Sequence, residues 1–248
     1  MAGAAQIPLL SAARVAQEAQ VRQAENGLCW ASFGEVHLGA EELEQIVQAV
    51  PAVVAGALRQ RAYYFVPLAI GENEDTVVAP DYTVDLGDRA TCHRNVRFGA
   101  ADAIFISARL MQDRFALAFE FLINVGHHFV DAVGVPQSFA DLVGSQASSD
   151  VRGETSHDAW ESRRRAQDPS RGNTVDEKAR SSYYESAFSD ALAIYMLSLT
   201  LDFDYADLRE REYPLLAAPA LAERLRHVAE LFPANSGYEF EIRYRRRG

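Results

Sequence analysis

The stretch from Gln112 to Val133 is the longest apolar segment of the chain, and it limits the fold more than any other feature. It is too long for a strand and keeps a helical composition until Gly134-Val135-Pro136, so it predicts a mostly buried helix. A second buried helix is expected over Ser181 to Leu201. Polar groups inside buried helices need partners, which makes them informative. At ~100° per residue, Glu120, Asn124, His127 and Asp131 share one stripe of the first helix, and His128 lies beside it, one turn after Asn124. The second helix carries Ser182, Glu185, Ser186, Ser189 and Asp190 in a similar stripe. Facing each other, the stripes would enclose one buried polar site. Histidine is a common metal ligand and acid–base group, and a neighbouring carboxylate orients its ring. A hydrogen-bonded core pair would use the same residues.

The rest of the chain is read from its periodicity and its breakers. Ile7 to Glu25 is amphipathic and stopped by Asn26-Gly27, which predicts a helix. Leu28 to Phe33 reads as a short strand, and Glu41 to Arg59 as a helix that Pro51 kinks or divides. Ala62 to Ile70 and Ala103 to Ser107 read as strands, with a turn-rich loop and one or two short strands over Gly71 to Asp88. Gly144 to Arg180 is rich in Ser, Asp, Arg and Gly. It is expected to be a mobile surface loop or lid with a short helix around Trp160 to Ala166. Pro219 to Phe232 should form the last helix, and Tyr238 to Tyr244, alternating aromatic and charged residues, an edge strand. Strands and helices are segregated rather than regularly alternating. This gives an α+β expectation: a small mixed or antiparallel sheet packed on the helices 112–133 and 181–201. Residues 1–248 are expected to be a single domain with an N-terminal helical extension (1–40) and the polar loop or lid (144–180).

Composition narrows the function. A net charge of -11 argues against nucleic-acid binding, which needs phosphate neutralisation. The basic runs Arg163-Arg164-Arg165 and Arg243 to Arg247 read as a solvated loop and a tail. Cys29 and Cys92 suggest reduced thiols rather than a disulfide framework. No apolar run approaches the ~20 residues of a membrane span, and the N-terminus lacks a signal-peptide pattern. The expectation is a soluble, cytoplasmic protein with no membrane partner. Two further metal patterns are weak: Glu154 to His157 has Glu-x-x-His spacing but lies in the polar loop, and adjacent Cys92-His93 seldom chelate together. His37, His157 and His227 read as surface or loop residues.

The order of these elements resembles a zincin, the metallopeptidase fold with HExxH on one helix and a third ligand on a later one. Asn124-Val125-Gly126-His127-His128-Phe129-Val130-Asp131 resembles the HExGHxxD form, with His128 at the second-histidine position and Asp131 at the trailing acid. Glu185 to Tyr195 resembles the helix bearing the third ligand and a supporting acid; the ligand position falls on Ser186 or, shifted by one, on Glu185. The resemblance covers roughly residues 41 to 200. It departs where chemistry needs it most: Asn124 replaces the first histidine, and Val125 replaces the catalytic glutamate and cannot accept a proton. The resemblance therefore implies a degenerate zincin-like protein with no metal and no cofactor. Its repurposed pocket would act on or bind a small molecule. His128, Asp131, Glu185 and Asp190 would be the catalytic candidates, and Glu120, Asn124, His127 and Ser186 the ligand-binding ones. A His128–Asp190 hydrogen bond is expected in this register. The alternatives are a non-catalytic, partner-binding pseudoenzyme and a metal-dependent hydrolase with altered ligands.

Overall fold

The computed structural model describes residues 8–72, 75–111, 113–168, 176–208 and 213–243. The chain divides into two compact units, Met1–Phe121 and Leu122–Gly248. The α+β class is as expected, with all of the described strands in the first unit.

The first unit contains β1 (Leu10–Ser11), α1 (Ala12–Glu18), β2 (Arg22–Gln23), β3 (Cys29–Ser32), α2 (Ala40–Gln48), α3 (Ala52–Ala57) and β4 (Arg61–Val66). It continues with β5 (Leu68–Glu72), β6 (Asp75–Ala79), α4 (Val84–Gly87), β7 (Ala90–Thr91), β8 (His93–Phe98) and β9 (Ala101–Ser107). A mixed five-stranded sheet runs in the order β2-β3-β4-β9-β8, with β3–β4 and β4–β9 parallel. An antiparallel four-stranded sheet runs β1-β6-β5-β7. Proline explains two breaks. Pro51 ends α2 and caps α3, as its missing N–H requires. Pro67 cannot donate to a ladder, so the strand expected over Ala62 to Ile70 splits into β4 and β5, which enter different sheets. The two sheets are joined by the buried Ser107 hydroxyl, which accepts from Ala69 N at 2.7 Å and donates to Thr91 O.

Side chains of β4 alternate between two faces. Tyr64 and Val66 join Phe105, Ala31, Val78 and the buried Val15 of α1 in one core. Tyr63 and Phe65 point the other way, with their rings 5.1 and 5.5 Å from Phe121. This overturns the expectation of an N-terminal helical extension over 1–40. Within the described residues of that span, α1 is short, and β1, β2 and β3 are built into the sheets. Only Ala12 and Val15 of α1 are buried, too little apolar surface to extend it to Glu25. β8, unforeseen, is an edge strand whose exposed and half-buried residues alternate.

α5 (Arg114–Val133) runs across the division between the units. The second unit holds its C-terminal half, α6 (Gln137–Ser148), α7 (His157–Ala166), α8 (Glu177–Ser198), a 3-10 turn (Tyr205–Leu208) and α9 (Ala218–Leu231). Phe129, Phe139, Phe188 and Phe232 form its aromatic centre, with ring separations of 5.0 to 6.1 Å. The loop or lid expected over 144–180 is corrected as far as it is described: the end of α6 and the buried residues Gly153 to Thr155 occupy part of it, the short helix expected around Trp160 to Ala166 is present as α7, and 169–175 lie outside the described residues. The segment looks mobile in sequence because polar contacts, not large apolar side chains, hold it in place. Residues 238–243 form no strand; Phe240 packs edge-on against Tyr195 at 5.1 Å instead. Among the described residues, no helix is long and apolar enough to cross a membrane.

Candidate functional site

The two helices expected to carry the site do meet, but not through their polar stripes. A Cβ on Gly126 would lie 2.7 Å from the Ser189 carbonyl oxygen, so α5 and α8 are in backbone contact there. Beside it, Phe129 packs 6.1 Å from Phe188. At ~100° per residue, Asn124 and His128 each lie ~160° around α5 from Gly126. Both are buried, on the side of α5 turned away from Ser189. The expected face-to-face stripes, with His128 towards the second helix, are thereby corrected: the absent side chain of Gly126 decides which edge of α5 approaches α8.

The remaining expected site residues scatter. His127, Asp131 and Glu185 are exposed. Glu185 accepts from Ser181 Oγ at 2.9 Å, and the Ser186 carbonyl accepts from Ser189 Oγ at 3.1 Å. Glu120 belongs to the first unit, where its Oε1 lies 2.7 Å from His93 Nδ1. That pair sits beside Cys92, whose thiol is pushed up by burial and by the Glu120 charge and so is held protonated.

Asp190 is buried on α8, but its hydrogen bonds come from Thr155 Oγ1 at 2.8 Å and from Ser156, not from His128. Ser156 also accepts from Ala159 N at 3.1 Å, so Asp190 anchors the start of α7. Burial pushes its carboxyl up from 3.8 to about 6; the Ser156 and Thr155 hydroxyls act the other way.

The densest polar cluster surrounds Glu154, which the sequence placed in a loop. Its side chain is fully buried, as is that of Arg224. Glu154 Oε2 pairs with Arg224 at 2.9 Å; Oε1 accepts from Arg163 at 3.1 Å and from the Tyr183 hydroxyl at 2.6 Å. Arg224 also donates to Gln146 Oε1 at 2.8 Å. Burial alone would lower the Arg224 pKa, but Glu154 and Tyr183 outweigh it and the pKa rises. Gly153 makes this placement possible. Its φ of +83° suits glycine, and any Cβ there would strike the Leu215 carbonyl. Glu154 N can then donate to Pro214 O at 3.0 Å, and Leu216 N to Glu154 O at 2.9 Å. The cluster is hydrogen-bonded throughout and almost wholly shut off from solvent, which suits a structural role. One signal was available: Arg224 falls among Leu221, Leu225 and Val228 on the buried face of α9.

A concave feature lies elsewhere in the second unit. A cavity of about 770 Å³ opens between the end of α8, α9, the 3-10 turn and residues 239–243. Ile194, Leu221 and Leu225 line its apolar wall, with Phe203, Tyr205 and Phe240 as aromatic groups. Sequence reasoning missed it, although Asp202-Phe203-Asp204-Tyr205 and Glu239-Phe240-Glu241-Ile242 share an alternation of acid and apolar residue.

Zincin-like positions do not fit a zinc ion here. Asn124 and Val125 stand in place of a ligand and a base. Among the described residues, no group of three or more His, Cys, Asp and Glu is arranged to hold a metal. Compared with known protein families, characterised proteins and solved structures, the chain matches none.

Proposed function

We propose that this chain is a degenerate zincin-like protein that binds a small molecule and performs no zinc-peptidase chemistry. The observation that carries this reading is the backbone contact of Gly126 on Ser189. It turns Asn124 and His128 away from the second helix, while Asp190 is engaged by Thr155 and Ser156. The residues in the motif-like positions therefore act as packing and anchoring groups. The cavity at the end of α8 has the size of a small-molecule site, within the ~300–1,000 Å³ usual for such pockets. It is the ligand site in this reading.

Elemental analysis and a casein-hydrolysis assay with and without added zinc test the catalytic half. The expected result is zinc far below one equivalent and no hydrolysis above the buffer rate. Zinc near one equivalent, with hydrolysis that a chelator abolishes and zinc restores, would sink the proposal in favour of a metal hydrolase with altered ligands.

A further inference from the structure

Resting on the reading that this chain binds rather than hydrolyses, we propose that the cavity at the end of α8 takes a small organic cation: an ammonium group carried on an apolar body. Two features of the wall point to this chemistry. Among the described residues, the cavity is lined by four carboxylates, Asp202, Asp204, Glu239 and Glu241, against one guanidinium, Arg243. Arg243 is already paired with Glu241 at 2.9 Å, and the Asp202 charge also acts on it. An anion entering here meets excess negative charge; a cation is drawn in.

The second feature is aromatic. Phe203, Tyr205 and Phe240 line the same space as the carboxylates. Aromatic faces attract cations through the ring quadrupole, and an aromatic wall with nearby carboxylates is the usual chemistry of ammonium recognition. Phe240 is set in place: its ring packs on Tyr195, whose hydroxyl donates to Phe232 O at 2.8 Å. A wall held in this way loses little entropy on binding.

The apolar side, Ile194, Leu221 and Leu225, suits the body of such a ligand.

The test uses calorimetric titration of the full chain with three probes of one shape: 2-phenylethylammonium, 2-phenylethanol and phenylacetate. The expected order is ammonium over alcohol by ~10-fold, with phenylacetate weakest. A double variant, Asp202→Asn with Glu239→Gln, changes only exposed side chains. It should melt as the parent does and bring ammonium and alcohol to within ~2-fold of each other. Equal binding of alcohol and ammonium by the parent would overturn the cation inference while leaving a binding protein. An ammonium preference that survives the double variant would overturn the assignment to this cavity. If none of the three binds at up to ~10 mM, the cavity is no small-molecule site and the binding half of the functional reading falls with it. The catalytic half stands or falls separately, on zinc content and casein hydrolysis.

Discussion

Glu154 sits between two guanidiniums in a fully buried cluster, and its energetics differ from those of a surface ion pair. Removing one partner leaves a buried charge without compensation, which costs ~3–5 kcal/mol. Arg224→Met should therefore lower the urea-unfolding free energy by about that much. Glu154→Gln in the same chain should recover part of the loss. A loss below ~1 kcal/mol for Arg224→Met would show that the cluster contributes nothing beyond packing. Asp190 gives a second test, with a definite sign. Its folded pKa, about 6, lies above its ordinary 3.8. Above pH 6 the carboxyl is ionised in both folded and unfolded chains, and the buried charge is unfavourable. As pH falls from about 6 towards 4, the folded protein takes up a proton that the unfolded chain does not. Stability should rise through that window by on the order of 3 kcal/mol. Asp190→Asn should remove this rise from the pH dependence of chemical unfolding, and parallel curves for parent and variant would refute it. At this scale the sequence marked Asp190, Asn124 and His128 correctly as polar groups within buried helices. It missed Glu154, because burial there depends on partners remote in the chain, Tyr183 and Arg224.

Elements were legible where length and breakers agree. α5 and α8 follow from apolar runs too long for strands, and Pro51 marks a real break, whereas the break at Pro67 was read through as one strand. The short helix expected around Trp160 to Ala166 is α7, but the ordered stretch before it was not legible, since polar contacts such as the Arg163–Glu154 pair hold it with few large apolar residues. The approach of α5 to α8 gives a prediction in which two effects oppose. Alanine is favoured over glycine in a helix interior by ~1 kcal/mol, so propensity alone says that Gly126→Ala stabilises. The contact says the reverse, because the new methyl would press on the Ser189 carbonyl, a backbone atom with little freedom to yield. The expected result is a net loss of ~1–3 kcal/mol. Gly56→Ala in α3 is the control: its added methyl meets nothing within 4 Å and should stabilise by a few tenths to ~1 kcal/mol. Denaturant unfolding of the two variants checks both signs, and a stabilised Gly126→Ala would mean that the helices can separate at no cost.

For the whole molecule, the sequence by itself determined the α+β class, the two long helices, the break at Pro51 and the strands Cys29–Ser32 and Ala101–Ser107 to within a few residues. These rest on local properties: hydrophobic period, segment length and backbone groups that proline lacks. Its acidic balance also bears on ligand class, since four of its carboxylates line the cavity. What the sequence could not determine was which faces meet. Helical period places the polar residues on their helices correctly, but facing stripes do not follow from it. Tertiary packing brought Gly126 to Ser189 instead, because the smallest residue permits the closest approach. Likewise only the fold gathered Asp202 to Tyr205 and Glu239 to Arg243 around one cavity. Helical period fixes an angle about an axis, and strand period fixes a side of a sheet. Neither fixes the neighbour across the gap, which is set by the packing of segments far apart in the chain.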